Sequence, residues 1–594
     1  MATPQPLSSI EVNHNFSISK SPEKPSDETY GYTEHKELST PASESLTYDY
    51  VDVEPDIHWR TYVALVTMFL LNYVAVISLQ APPAVLTFIG TSLNATDSQA
   101  WIVNAPNLVC GAIGPVLSSA SDVFQARKHI LLVGCALGVI GCAIVPGSDT
   151  IYRMIAGQTI KGFGYATTPL LYAIPSEILP KRWRPTSISG PLAIGALVKN
   201  DVVRGWRKFW WIEMAMWAAC LVGIIFGYKP PKRRTAYDEL SWLQKLSKLD
   251  LLGSLLLTAA VAFLLAGLGL GGSRYGWTNA RAIAPICVGG TLGVVFGLYE
   301  WKGTSTGILH HDLFLPGKSN GRTFALCTGL FGVEAILIIT FTIFYPIVTQ
   351  ALYESDPFKI VARSMPYWVA TMLTGPIWAY IATRYRTIRW PMFCGFAIWT
   401  GGVIGFATLQ PGQGFNALAF AAVSGIGFGS PLVMIVTGVQ LSVPHGLIAT
   451  ATSVATSSRA ICNAVFTSIY LAVFTARLET AIPKEIPPAV IAAGLPVSSI
   501  PGFIQALTSN DRTSLKTIPG VSPAIIGTGV AVHKQVYADS IRTVFIITSA
   551  IAAVATICVW LISDMRKEMT YQTDAPVEEL RAKGVKDAGI EKGN

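Results

Sequence analysis

Apolar residues along this chain come in long unbroken blocks, with neither the two-residue alternation of a half-buried strand nor the narrow stripe of a surface helix. A helix rising 1.5 Å per residue needs about 20 such residues to cross a hydrocarbon layer ~30 Å thick. Blocks of that kind lie at 61–88, 101–120, 130–146, 151–178, 209–228, 249–271, 280–299, 323–352, 361–381, 391–409, 415–438, 446–474 and 542–562. These thirteen runs predict an all-α polytopic membrane protein. A further run at 186–198, with Gly190, Pro191 and Gly195 inside it, has only thirteen residues. As a helix it would reach about 20 Å, so it is read as a fifth span that is abnormally short.

Charge placement argues that this short run is meant to cross. Basic clusters occur at Arg127, Lys128 and His129, at Lys181, Arg182 and Arg184, at Lys229, Lys232, Arg233 and Arg234, at Lys302, Lys318 and Arg322, and at Arg384, Arg386 and Arg389. They follow spans two, four, six, eight and ten only if 186–198 counts as span five, and the positive-inside rule then puts both termini in the cytosol. Lys199, Arg204, Arg207 and Lys208 crowd the next outer loop against that rule. The loop after span one has no Lys or Arg and carries the sequon Asn94-Ala95-Thr96, which makes Asn94 a glycosylation candidate.

Composition agrees with the class. Of 594 residues 51% are hydrophobic and 13% charged, against roughly 25% charged in an average soluble domain. Residues 1–59 are polar, without an early apolar h-region, and read as a disordered cytosolic tail; 564–594 reads as a charged cytosolic tail. All nine cysteines lie in apolar runs and suggest neither a disulfide frame nor a metal site. The net charge of +8 is confined to loops and tails, so no nucleic-acid partner is indicated.

An internal repeat organises the spans. "SDVFQARKHILLVG" (121–134) aligns with "ATRYRTIRWPMFCG" (382–395) at an offset of 261, placing Lys128 over Arg389, and "GFG" at 162–164 recurs at 427–429 at an offset of 265. Spans two to four then repeat as ten to twelve, which gives two pseudo-symmetric six-helix halves with two extra central spans. The first half covers 60–228, a linker with the extra spans 229–312, and the second half 313–563, with a long outer loop at 478–540. Paired repeats around a midplane site are usual in secondary transporters.

Several stretches carry a resemblance to a known family: "EPDIHWRTYVAL", "SSASDVFQARK", "YAIPSEILPKRWRP", "GWRKFWWI", "GYKPPKR", "LYEWKGTSTGILHHDLF", "GIGFGSPL" and "PHGLIATATSVATSSRA". The chain resembles the major facilitator superfamily, in its fourteen-span drug:proton antiporter branch, and most closely the fungal trichothecene efflux pumps, relatives of the fungal siderophore transporters. The resemblance implies the major facilitator fold and a gating loop made by Asp122, Arg127 and Lys128, with Ser118 where glycine is usual. In span four the pattern Arg-x-x-Gln-Gly-x-Gly is matched by "QTIKGFG", so Gln158 takes the arginine position and Lys161 the glutamine position one turn on. Gly190, Pro191 and Gly195 are what remains of the branch's antiporter motif in span five.

A charge at mid-span costs about 2.5–3.5 kcal/mol on insertion scales, and so faces a partner or a wet cavity. Lys161 is expected to face a cavity. Glu213, Glu334 and Arg459 are the other ionisable residues well inside spans, and Glu334 is the first choice for a proton carrier. Arg459 is expected to pair with a carboxylate, and Lys161 is a competitor for it. The amides Asn72, Gln80, Asn104, Asn107, Gln440 and Asn463 and the rings of Tyr345, Tyr367 and Trp368 are further pathway candidates.

The function these readings imply is export of a hydrophobic, oxygenated small molecule, a trichothecene-like toxin or xenobiotic, by proton antiport. The expected partners are the cargo, protons and the lipid bilayer, with the chain a monomer in the plasma or vacuolar membrane. A siderophore transporter is one alternative. A non-functional or mis-spliced transporter, following from the short fifth span, is another. An enzyme is disfavoured, since the eight histidines are scattered and no HExxH box or GxSxG elbow occurs. No metal or other cofactor is expected.

Overall fold

The computed structural model describes residues 55–178, 205–228 and 240–570 with short breaks, and residues 581–582. The antiporter-motif residues Gly190, Pro191 and Gly195, the short fifth span and the side chain of Gln80 lie outside the described residues. Nearly everything described is helical. The exception is a two-residue antiparallel ladder in which Pro55–Asp56 pairs with Arg581–Ala582.

The first half contains α1 (Trp59–Ala84), α2 (Trp101–Val123), α3 (Arg127–Ile144), α4 (Ile151–Tyr165), α5 (Thr168–Ile178) and α6 (Gly205–Gly227). The extra spans are α7 (Leu251–Ser273) and α8 (Ala280–Leu298). The second half contains α9 (Gly321–Ile339), which runs through a π-helical turn at Thr340–Phe344 into α10 (Tyr345–Leu352). It continues with α11 (Met365–Tyr385), α12 (Arg389–Ala407), α13 (Gly414–Leu441), α14 (Ile448–Ala492), α15 (Ile500–Thr508) and α16 (Pro523–Val559).

Eleven helices among the described residues are long and apolar enough to cross a membrane. Span four and α11 complete the predicted thirteen. Span four is broken: α4 stops at Tyr165 and α5 restarts at Thr168, so neither piece is long enough alone. Pro169 has no N–H to give to Tyr165 O, so the ladder cannot run unbroken through this point. The Thr167 hydroxyl donates to Gly164 O at 2.7 Å and the Thr168 hydroxyl to Tyr165 O, replacing part of the lost ladder.

The two halves repeat in their packing. In the first half α4 lies against α2 and α3, α3 against α6, and α1 against α6. In the second, α13 lies against α11 and α12, α12 against α16, and α9 against α16. The hinge between the paired helices repeats to the residue: Gln125 and Arg386 both take the left-handed conformation, φ +51° and +52°, at the offset of 261. Lys128 donates to Ile225 O at 2.8 Å near the end of α6, and its counterpart Arg389 stacks 4.5 Å from the Trp560 ring at the end of α16.

The glycine match needs a correction. A Cβ on Gly162 would strike Pro106 of α2 at 2.9 Å, and one on Gly164 would strike Gly134 O of α3 at 2.8 Å. In the second half the same two approaches belong to Gly425, against Tyr367 of α11, and Gly427, 2.7 Å from Gly395 O of α12. Gly425-Ile426-Gly427 is therefore the structural partner of Gly162-Phe163-Gly164, at an offset of 263. Close backbone approach selects the small residues, and the identical "GFG" letters sit two positions out of phase.

The segment read as a long outer loop is mostly helix. α14 extends over 45 residues and α16 over 37, or about 68 Å and 56 Å, well beyond a bilayer core. Their projecting ends and α15 enclose a separate small core of Ile486, Val490, Phe503, Leu507 and Ile525. The apolar positions 482, 486 and 490 recur each turn on one face of α14, which is why the Pro-rich stretch still folds as a helix.

Gly427→Ala should lower the melting temperature of the detergent-purified protein by several degrees, because an added methyl meets the α12 backbone and overpacking typically costs 1–3 kcal/mol. Gly293→Ala, on α8 with nothing within 4 Å of its Cβ position, should leave melting unchanged or slightly raised.

Candidate functional site

Among the described residues, two ion pairs are buried within the spans. In the first half Lys161 on α4 is 1% exposed and Glu213 on α6 is fully buried. Lys161 Nζ lies 3.2 Å from Glu213 Oε1 and donates to Ser78 O of α1 at 3.3 Å. The Ser78 hydroxyl and Trp217 Nε1 both donate to Glu213 Oε1, the latter at 3.3 Å, and the ammonium sits 4.1 Å from the Trp210 ring centroid. The expectation that Lys161 faces a wet cavity is thus replaced by a sealed cluster joining α1, α4 and α6. Carboxylate and ammonium neutralise each other, and two hydrogen-bond donors and an aromatic face complete the shell.

In the second half Arg459 on α14 grips Glu334 on α9 with two bonds, Nε to Oε2 at 2.6 Å and Nη2 to Oε1 at 3.1 Å. Glu334 is fully buried and Arg459 is 8% exposed. This bidentate fork is the strong, oriented form of a charge-assisted hydrogen bond. Phe331, one turn before Glu334, lies under the guanidinium at 5.1 Å. The pair expected for Arg459 is therefore formed, and Lys161 does not compete for it.

The second pair sits at the seam between the halves. α14 packs along the length of α2: Asn104 Nδ2 donates to Ser468 at 2.9 Å, Gly111 approaches Ile461, Gly114 approaches Ser457, and Ser118 donates to Ala449 O at 3.0 Å. Gln440 Nε2 adds a bond across the seam to Tyr172 O at 2.9 Å. Tyr165 and Tyr172 of the first half and Tyr367 of the second lie within electrostatic reach of the pair.

Other predicted residues take quieter places. Gln158 is fully buried, and neither of its amide atoms has a partner among the described residues. Asp122 pairs with Arg127 at 2.7 Å, closing the turn at Gln125. Tyr345 and Tyr367 are buried in a stack on Phe341, at 4.8 and 3.9 Å, and so belong to a packed core. Tyr367's hydroxyl has no partner among the described residues. Asn94 is exposed, with φ +50°.

Some functional-looking residues escaped the sequence reading. Ser78, Trp217, Tyr165 and Tyr172 gave no signal beyond membership of an apolar run. Glu300 is 3% exposed where α8 ends, and with Asp250 it takes the Ile308 N–H, each at 3.2 Å. Its position in "LYEWKG", an acid closing an apolar run, was a readable hint. His310 and His311 serve the same loop: His311 Nε2 is 2.9 Å from Glu300 O, and His310 Nδ1 accepts from Asp312 N–H. No cluster able to hold a metal ion occurs among the described residues.

A profile described as fungal trichothecene efflux pump matches residues 185–591, more than half the chain. The chain belongs to the fungal trichothecene efflux pump family. Relatives extend the likeness into the first half. The MFS-type efflux pump LUC4 of Fusarium sp is 22% identical over 90% of this chain and 93% of its own. The MFS-type transporter prx5 of Penicillium rubens is 24% identical over 82% and 89%. Among solved structures, the xylose transporter XylE from E. coli is 13% identical over 70% of this chain and 92% of its own, with a TM-score of 0.47. By its family match, its MFS-type relatives and its eleven candidate spans, this member of the efflux pump family is a multi-pass, all-α protein of the major facilitator class.

Breaking the first-half pair by one member should be more damaging than removing it whole. Lys161→Met or Glu213→Gln alone should destabilise the protein by about 3–5 kcal/mol, and the double variant Lys161→Met/Glu213→Gln by clearly less than the sum. Unfolding of the four proteins in one detergent measures the coupling.

Proposed function

We propose that this chain exports a hydrophobic, oxygenated small molecule by proton antiport, with Glu334 as the proton carrier and Arg459 as its counter-charge. The observation that supports the reading best is the bidentate, buried Glu334–Arg459 pair, which lies within electrostatic reach of Tyr165 and Tyr172 of the opposite half. A proton on Glu334 neutralises the carboxylate and leaves Arg459 uncompensated in an apolar seam. An unpaired buried charge costs several kcal/mol, so protonation favours any arrangement that lets water or cargo reach Arg459. Opening of the seam supplies such an arrangement. Loss of the proton restores the fork and closes it.

The Lys161–Glu213 cluster serves a different purpose in this scheme. It holds α1, α4 and α6 as one body, so that the first half moves as a unit about the Asp122–Arg127 turn. The end bearing Asn94 faces outward and the end bearing Arg127 faces the cytosol, as the distribution of basic residues requires. Relatives named as efflux pumps support the direction of transport.

Glu334→Gln separates coupling from carriage. In inverted vesicles, uptake of a radiolabelled trichothecene driven by an imposed pH gradient should fall at least tenfold, while exchange of labelled for unlabelled cargo at equal pH persists. Gradient-driven uptake at the unsubstituted rate would sink Glu334 as the carrier.

A further inference from the structure

At the end of the bundle that bears Arg127, two acids from different helices meet on one loop. Asp250 stands just before α7 and Glu300 just after α8, and both reach the stretch 307–309 that leads toward α9. Trp242, a little upstream of Asp250, lies 6.5 Å from the ring of Phe124 beside the Gln125 turn. Glu300 is 3% exposed and Asp250 is half-buried.

The hydrogen bonds around these acids fall short of what two carboxylates need. Asp250 Oδ1 accepts from Gly253 N–H at 2.8 Å and from the Tyr299 hydroxyl at 3.0 Å, and Glu300 Oε2 accepts from Leu309 N–H at 3.0 Å. The remaining oxygens, Asp250 Oδ2 and Glu300 Oε1, both lie 3.2 Å from Ile308 N. One N–H holds one hydrogen and cannot fully serve two anionic oxygens. A Cβ on Gly307 would meet Glu300 Oε2 at 2.5 Å and Asp250 Oδ2 at 3.0 Å, so the two carboxyls converge on the same point of the loop. A proton placed between them supplies the missing donor and removes one of two like charges.

The other charged and titratable groups nearby are engaged elsewhere or stand off. Lys248 shares with Asp250 and Tyr299 the wall of a cavity of about 380 Å³, through which water reaches the pair. Lys302 stacks 5.4 Å from the Trp301 ring, His311 turns Nε2 to the Glu300 carbonyl, and His310 Nδ1 accepts from Asp312 N–H. Among the described residues no cation forms an ion pair with Asp250 or Glu300.

We propose that Asp250 and Glu300 share one proton and form a pH-sensitive latch, closed while the proton is held and released when both acids ionise. Closed, it ties the start of α7 and the end of α8 to a loop whose Ile308 and Leu313 are buried, the latter in the core of the second half with Phe324. Sharing makes the closed form bind the proton more tightly than the open form does. The latch is therefore stable at low pH and lost as pH rises. In the orientation proposed above it senses the cytosol, and it works whichever residue carries protons in transport.

The test is hydrogen–deuterium exchange of the full-length, detergent-purified protein from about pH 6 to about pH 9, read by mass spectrometry and corrected for intrinsic exchange. Protection of the Ile308 and Leu309 amides should fall at least tenfold across that range, while amides of α2 and α14 keep theirs. Glu300→Gln carries an amide donor in place of the shared proton, and Asp250→Asn does the same from the other side. Each should hold the loop protected at every pH, with α2 and α14 again showing that the variant is folded. A flat profile in the unsubstituted protein, a fall that persists in either folded variant, or a loop open at low pH in both variants would overturn the latch.

Discussion

Charge inside an apolar bundle has to be neutralised where it stands, and the placement of two such neutralisations divides the labour of the fold. Lys161 and Glu213 are sealed within three helices of one half, with Ser78, Trp210 and Trp217 completing the shell. Removing either partner strands a charge at a cost of several kcal/mol, so separating these helices would leave a buried charge unpaired. Arg459 and Glu334 use the same chemistry, yet their helix α14 is also the one that runs along α2 of the other half. One pair lies within one half, and the other lies on the helix that packs along the opposite half.

The bodies themselves are copies. Left-handed Gln125 and Arg386, the tethering of Lys128 and Arg389 to the ends of α6 and α16, and the glycine approaches at Gly164 and Gly427 recur at nearly constant spacing. Such details are hard to keep unless both halves use the same helix contacts. The first-half counterpart of α14 by sequence, the short run 186–198, lies outside the described residues. α7 and α8 add an asymmetric element: α7 touches both halves, while α8 packs chiefly on α7.

Span positions were legible because the membrane imposes length and apolarity on every crossing, and these are local properties. The break in span four was legible only through Pro169, a single residue in an otherwise apolar run. The partners of the buried charges were not legible at all. Ser78, Lys161 and Glu213 lie on three separate helices, and Glu334 and Arg459 are 125 residues apart; nothing local says which carboxylate meets which cation. The glycine repeat misled for a related reason: identical letters were matched, whereas the physical requirement is a small side chain facing a neighbouring backbone, met by Gly425 and Gly427. The Pro-rich stretch after 478 was read as a loop from its prolines, and the i, i+4 recurrence of Ile482, Ile486 and Val490 outweighed them.

In the antiport proposed for Glu334, magnitudes constrain how protonation and opening relate. One elementary charge crossing 100 mV yields about 2.3 kcal/mol, whereas stranding one member of a closed buried pair costs about 3–5 kcal/mol. Protonation of Glu334 and opening of the seam beside Arg459 are therefore coupled, each favouring the other. Water or an oxygenated cargo entering beside Arg459 is suited to take over part of the guanidinium's hydrogen bonding. Cargo entry and proton exchange then become successive uses of one opening. In the proposed antiport, that coupling would tie export to the gradient without requiring the two ligands to occupy the same atoms at the same time.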